Sequence, residues 1–97
     1  MSRIPFDRVM NFVAYRFGVL PDEIRGPSRK RNLVNARAVL CRVLRDRGVS
    51  YPVAARMIGR SDHSTAINLV GSFETRCRYY PKVGDTYQAI REREGRA

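Results

Sequence analysis

The stretch that indicates the fold of this chain most clearly is residues 59–70, which read Gly59-Arg60-Ser61-Asp62-His63-Ser64-Thr65-Ala66-Ile67-Asn68-Leu69-Val70. Glycine marks a tight turn, short polar side chains follow it, and an apolar stripe at helical spacing comes next. Ahead of this stretch, Ser50 can cap a helix that has Pro52 in its first turn. Residues 50–78 therefore predict a helix-turn-helix, a unit that places the start of its second helix in the major groove of DNA.

Helical periodicity continues on both sides of this unit. A first helix is predicted from Phe6 to Phe17, a short helical turn over residues 20–24, and a long helix after Asn32 as its N-cap. After the turn, Ser61 or Asp62 caps a helix that is predicted to run to residue 78, with an apolar stripe of Ala66, Ile67, Val70, Phe73 and Cys77. A last helix is capped by Asp85, with a frayed tail over residues 91–97. We therefore expect an all-α, compact bundle of five to six helices in a single domain over residues 1–97.

The charge of the chain is strongly positive and unevenly placed. Its 97 residues carry 19 basic and 9 acidic side chains, a net charge of +10, and 43% hydrophobic residues, enough for a modest core. From Arg25 to Arg60 there are ten basic residues and Asp46 is the only acid. This pattern favours a nucleic-acid partner over an anionic membrane. Since no signal peptide or long apolar run is present, we expect a cytoplasmic, nucleoid-associated protein.

Neither a metal site nor an enzyme is expected. Cys41 and Cys77 lie on predicted apolar stripes, which favours buried free thiols over ligands, and the chain has one histidine, His63. Asp62, His63 and Ser64 are the residue types of a hydrolase triad. However, neighbours on a helix point about 100° apart and cannot form a proton relay. We therefore expect no catalytic residues, no metal and no cofactor.

Three segments, in order along the chain, resemble the C-terminal DNA-binding domain of the bacterial replication initiator DnaA. Phe17–Ile24 resembles the end of the family's first helix with its following turn, and Arg29–Arg37 resembles its basic loop leading into a long helix. Gly59–Ala66 resembles the family's Asp-His-Thr-Thr signature, here Asp62-His63-Ser64-Thr65. The resemblance runs from about Val9 to Arg93 and implies a Trp-repressor-like, helix-turn-helix fold.

The resemblance also implies a double-stranded DNA partner and a role in binding it for several residues. The start of the second helix would read bases through Asp62, His63, Ser64 and Thr65, with Ser61 beside them. The basic loop, residues 27–32, would reach the minor groove through Arg31 and Arg29. By resemblance and by charge, the phosphate contacts would come from Lys30, Arg37, Arg45, Tyr51, Pro52, Arg56 and Arg60. The family implies a monomer, with the replication initiator or other replication proteins as further candidate partners.

The chain departs from the family pattern at several positions. Ser61 stands where the family has arginine, Asn35-Ala36 where it has Arg-Pro, and Ala66 where valine is usual. These changes leave the preferred DNA site open. No Gly-x-x-x-x-Gly-Lys-Ser/Thr motif occurs in the sequence, so ATP binding and origin melting do not carry over. Met1 favours a stand-alone protein over an excised domain.

Each of these residues also has a simpler interpretation. Asp62 can serve only as a helix cap, His63 can be an exposed surface histidine, and the Arg29–Arg31 segment can be a solvated loop. Two other functions fit the same sequence. One is a transcriptional regulator of the helix-turn-helix type, and the other is a module that binds proteins of the replication machinery.

Overall fold

The structure, a computed structural model, describes residues 3–96, and these residues form seven helices and no strand. The helices are α1 Phe6–Phe17, α2 Pro21–Arg25, α3 Arg31–Asp46, α4 Tyr51–Met57, α5 His63–Gly71, α6 Phe73–Tyr79 and α7 Pro81–Arg96. The predicted all-α class is confirmed. Within the described part of the chain, no helix combines the length and apolar character that crossing a membrane requires.

The central element is α3, which contacts each of the other six helices. Ten of its sixteen residues are buried. A helix with neighbours on all sides needs apolar or small residues at nearly every position, and the run from Ala36 to Cys41, interrupted only by Arg37, supplies them. The surrounding helices α1, α5 and α7 contribute Val13, Ala66 and Ile90 to the same core.

The predicted helix-turn-helix is formed by α4 and α5, which pack against each other. Ser50 caps α4 by accepting a hydrogen bond from the backbone N–H of Val53. Between the two helices, Gly59 takes a left-handed conformation with φ +79°, which L side chains rarely adopt. A Cβ at Gly59 would also overlap the backbone carbonyl oxygen of Arg25, so conformation and space both require glycine.

The helix expected over residues 62–78 is in fact two helices, which raises the count above the predicted five to six. The chain breaks at Ser72, whose φ and ψ are −95° and 1° and whose hydroxyl donates to the carbonyl of Leu69 at 3.3 Å. This backbone stays close to the helical region, so the apolar spacing passes through the break almost unchanged. Periodicity alone therefore could not reveal it.

The last helix is longer than the sequence predicted. Proline suits the first turn of a helix, and α7 begins at Pro81 rather than at a cap on Asp85. It continues to Arg96, so the fraying expected from residue 91 is not found as far as residue 96. Residue 97 lies outside the described residues.

The start of α3 also differs from the prediction. The helix begins at Arg31, and Lys30 takes the N-cap position instead of Asn32. The last two residues of the expected basic loop over 27–32 therefore belong to the first helical turn. As a result, the backbone of Arg31 is held by α3, whereas Arg29 remains in the loop between α2 and α3.

Candidate nucleic-acid interface

The first turn of α5 presents an exposed polar surface. Asp62 is its N-cap, and Oδ1 of the carboxylate accepts a hydrogen bond from the backbone N–H of Ser64 at 2.9 Å. This bond lowers the pKa of Asp62, so the carboxylate is charged at neutral pH. Ser61, His63 and Ser64 are exposed, and Thr65 is half-buried. Asp62 therefore does cap the helix, and its second carboxylate oxygen provides further acceptor capacity.

The exposed face of α5 extends beyond the four residues of the signature. Ser64, Ile67, Asn68 and Gly71 follow the i, i+3, i+4, i+7 spacing of one helix face, and all four are exposed. The sequence placed Ile67 on the buried stripe, but its side chain is 41% exposed. An exposed isoleucine beside an amide on a polar helix face is a feature that the sequence reasoning missed. Helical spacing could have shown it, since Ile67 lies one turn from His63.

The α2–α3 loop, residues 26–30, carries two of the basic side chains assigned to DNA. Arg29 and Lys30 are exposed, as is Arg31 at the start of α3. The guanidinium of Arg31 lies over the ring of Tyr80, 5.3 Å from its centroid. Arg29 and Arg31 line two different concavities, so the two arginines do not act as one cluster.

The expected phosphate contact at Arg37 is wrong, because this side chain is only 2% exposed. Its guanidinium donates to four backbone carbonyls. Nε donates to Ile24 at 2.6 Å, and Nη1 to Ser28 at 2.6 Å. Nη2 donates to Glu23 at 3.1 Å and to Gly26 at 2.9 Å. Burial, and secondly the charge of Arg60, lower the pKa of Arg37 to about 10, so it remains a cation at neutral pH.

Arg37 thus fixes the path of the chain that leads to Arg29 and Lys30. The same segment is held from another side, because the backbone of Gly59 lies directly against that of Arg25. The turn of the helix-turn-helix and the basic loop are therefore packed together. Their relative position depends on this backbone contact and on the buried side chain of Arg37.

A second group of candidate residues lies where α3 ends and α4 begins. The guanidinium of Arg45 stacks on Tyr51, 4.1 Å from the ring centroid, and Nη1 donates to the carbonyl of Val49 at 2.9 Å. Pro52 is exposed in the first turn of α4, and Arg56 is exposed in its last turn. The structure therefore brings Arg45 and Tyr51 together, while Arg56 lies at the other end of the helix.

A basic cleft of about 490 Å³ lies between α5 and the α2–α3 loop. Its charged lining comes from Arg29, Arg60 and Arg76, with the buried Arg37 also contributing. Thr65 and Asn68 of α5 also line it. Arg60 and Arg29 therefore line the same cleft. Arg76 was not singled out from the sequence, because nothing in the local pattern around it differs from an ordinary solvated arginine.

Comparison with known proteins agrees with this geometry. Residues 6–71 match the family model described as the bacterial dnaA protein helix-turn-helix. The chain is 33% identical over 95 residues to the chromosomal replication initiator protein DnaA of Deinococcus radiodurans, covering 95% of this chain and 20% of that protein. It is 36% identical over 69 residues to the same-named protein of Kosmotoga olearia, covering 70% of this chain and 15% of that protein.

The chain thus spans a fifth or less of the length of these two relatives. The matched family segment begins with α1 and ends with α5, so it contains the α2–α3 loop and the whole helix-turn-helix. The chain therefore belongs to the bacterial DnaA helix-turn-helix family.

Proposed function

We propose that this chain binds double-stranded DNA sequence-specifically, at a site like the DnaA box, and acts in replication initiation or its control. Family membership supports the proposal, as do the names of the two relatives, which are chromosomal replication initiators. DNA binding is the only activity carried over from them, because this chain spans just 20% and 15% of their lengths. No catalytic step belongs to the proposal.

The observation that carries the proposal is the exposed face of α5. In the major groove, His63 and Ser64 would meet base edges, and the isoleucine at position 67 would pack on a thymine methyl group. The amide of Asn68 can bond an adenine in a bidentate way, which is a common pairing in direct readout. Thr65 completes the set, with Ser61 at its edge. Asp62 would accept from a cytosine amino group through the oxygen that the helix cap leaves over.

The basic residues before α3 would enter the adjacent minor groove. Arg31 is the main candidate and Arg29 the second, because an arginine is attracted by the enhanced negative potential of a narrow, A·T-rich groove. In the free protein Arg31 rests on Tyr80. That contact holds the guanidinium at the surface, and the side chain would leave it to insert between the strands.

Phosphate contacts would hold the protein in register without reading sequence. The candidates that remain after the correction at Arg37 are Lys30, Arg45, Tyr51, Pro52, Arg56 and Arg60. The stacking of Arg45 on Tyr51 would present the two side chains as one surface at the start of α4. The net charge of +10 would favour fast association and a strong dependence on salt.

Each chain has one helix, α5, that would read bases. The preferred DNA site would therefore be asymmetric, and the protein would bind it as a monomer. The protein would then work at the nucleoid in the cytoplasm, where the replication initiator or other replication proteins would be further partners. Binding to such proteins alone, or dimeric binding as a transcriptional regulator, are the two outcomes that the test must separate.

Selection of bound duplexes from a random DNA pool tests the proposal. We expect enrichment of a short asymmetric site, with wild-type binding that weakens steeply as salt rises. A palindromic site would indicate a dimeric regulator instead. Absence of any enriched site would contradict sequence-specific binding and leave protein interaction as the function. A matched control is Arg8→Ala, which removes an exposed arginine of α1 while leaving α5 and the α2–α3 loop intact.

A further inference from the structure

The basic cleft gathers like charges without a carboxylate to balance them. The side chains that line it include Arg29, Arg37, Arg60 and Arg76, and none of the lining residues is acidic. Burial, and secondly the charge of Arg60, lower the pKa of the buried Arg37. Cations held this close repel one another, and an anion placed among them relieves that repulsion.

The guanidinium of Arg76 is held in place by two polar partners. Nη1 donates to Oδ1 of Asn35 at 3.0 Å, and Nε donates to the hydroxyl of Ser72 at 3.1 Å. Asn35 is itself only 2% exposed, so this anchor is fixed in the core of the protein. A guanidinium has five N–H donors in a rigid fork. Because two of its nitrogens are anchored, Arg76 loses little conformational entropy when its remaining donors bind an anion.

The position of the cleft points to the kind of anion that it would bind. Its lining includes Thr65 and Asn68 of α5, the proposed base-reading helix, and Arg29 of the α2–α3 loop. In B-DNA, a major groove and the minor groove next to it share one sugar–phosphate strand as their common edge. A protein that reads both grooves must therefore straddle that strand, and the surface between its two reading elements faces phosphates.

We propose that Arg60 and Arg76 bind a backbone phosphate of the DNA strand that separates the two grooves, beside the loop that carries Arg29. Thr65 and Asn68 of α5 line the same cleft, so the phosphate site adjoins the base-reading surface. This inference rests on the proposed function, and it adds Arg76 to the interface. It also gives Arg60 a specific partner. The phosphate fixes the register between major-groove and minor-groove contacts, because it lies between them.

The first experiment compares Arg60→Ala and Arg76→Gln with wild type on the selected duplex over a range of salt concentrations. Each variant should reduce the slope of log affinity against log salt by about one, and should weaken specific and non-specific duplexes by the same factor. The glutamine at position 76 keeps a donor for Asn35, and thermal unfolding of each variant checks that the fold is retained. Arg8→Ala is the control for net charge. An equal change of slope in this control would overturn the proposal.

The second experiment replaces one DNA phosphate at a time with a neutral methylphosphonate. For wild type we expect one position, on the strand between the two grooves, where the replacement weakens binding strongly. The same replacement should cost Arg60→Ala and Arg76→Gln much less, because the contact is already lost. If no single position shows this coupling with either variant, the cleft does not hold a backbone phosphate.

The outcomes also separate this inference from the function on which it rests. Wild type that shows no preference for any duplex would overturn both. Specific wild-type binding with unchanged slopes in the two variants would overturn the phosphate site alone. Inorganic phosphate added to wild type without DNA is a further probe. Saturable binding of it, lost in both variants and with no methylphosphonate coupling, would assign the cleft to a free anion and refute a DNA contact.

Discussion

Replacement of Arg37 gives the sharpest test of how this domain is built. The side chain donates to four carbonyls, those of Glu23, Ile24, Gly26 and Ser28. Hydrogen bonds from a charged group contribute roughly 1.5–3 kcal/mol each, so four would contribute roughly 6–12 kcal/mol if they were additive. Opposing this, a pKa lowered to about 10 corresponds to roughly 3 kcal/mol of unfavourable burial and repulsion.

The net loss on Arg37→Ala should lie at the low end of that difference, about 3–5 kcal/mol. Water can reach some of the carbonyls that the variant leaves without a donor, which reduces the loss. In other proteins, removing one partner of a buried ion pair costs a similar amount. A chain of this size is stabilised by roughly 5–15 kcal/mol, so the variant should still fold but with much less reserve. Urea denaturation followed by circular dichroism measures the loss directly.

Arg37→Lys distinguishes a structural role from a DNA contact. It keeps the charge, but one ammonium cannot span four carbonyls between residues 23 and 28, so it should recover less than half of the lost stability. If Arg37 met a phosphate instead, both variants would be nearly as stable as wild type, and only Arg37→Ala, which removes the charge, would lower the salt slope of DNA binding. A stability loss below about 1 kcal/mol for Arg37→Ala would refute the assigned role, since it would fall under that of a single charged hydrogen bond.

Four further outcomes are expected. His63→Ala should lose roughly 1–3 kcal/mol of specific binding in a fluorescence titration and leave non-specific binding nearly unchanged; equal loss on both DNAs would place the side chain on phosphate. Arg31→Ala should weaken binding most at sites with an A·T-rich flank, and indifference to the flank would contradict the minor-groove assignment. Gly59→Ala should cost about 2–4 kcal/mol in urea denaturation, because strain at positive φ is joined by overlap with a carbonyl, whereas Gly48→Ala, at φ +80° in open space, should cost only about 1–2 kcal/mol. The pKa of Asp62 is lowered in the folded state, so the charged cap stabilises α5 fully at pH values above the ordinary carboxyl pKa, and this stabilisation is lost as the pH falls through the lowered pKa. Asp62→Asn keeps an acceptor for the cap and should flatten the decrease of stability at acid pH. An unchanged decrease in this variant would exclude the cap as its cause.

Local signals in the sequence predicted most of the elements. The apolar spacing from Phe6 to Phe17 gives α1, and Gly59 between two stripes gives the turn of the helix-turn-helix. These features depend on residues close in sequence, so periodicity and turn chemistry report them. The break at Ser72 escaped prediction because its backbone remains nearly helical and leaves the spacing intact.

The residues of the candidate DNA interface were harder to predict from the sequence, because the charge of a side chain does not show which groups it contacts in the fold. Arg37 and Arg76 look alike in the sequence, yet Arg37 is buried and donates to four carbonyls, whereas Arg76 is half-buried and donates to the side chains of Asn35 and Ser72. The difference arises from segments that are distant along the chain. Asn35, for example, meets Arg76 across 41 positions. Ile67 was assigned to the core because it is apolar and follows Ala66 on the predicted stripe, although it lies one turn from the polar His63.

The four hydrogen bonds of Arg37 all end on main-chain oxygens, and every residue type carries such an oxygen. The main-chain path of the loop is consequently fixed by Arg37 of α3, and these four bonds do not depend on which side chains the loop carries. Arg29 and Lys30 can then be exchanged for other residues without rebuilding the support beneath them. The main-chain path of the loop and the identity of its side chains can therefore change independently during evolution. A library randomised at these two positions would sample new DNA preferences on an unchanged scaffold.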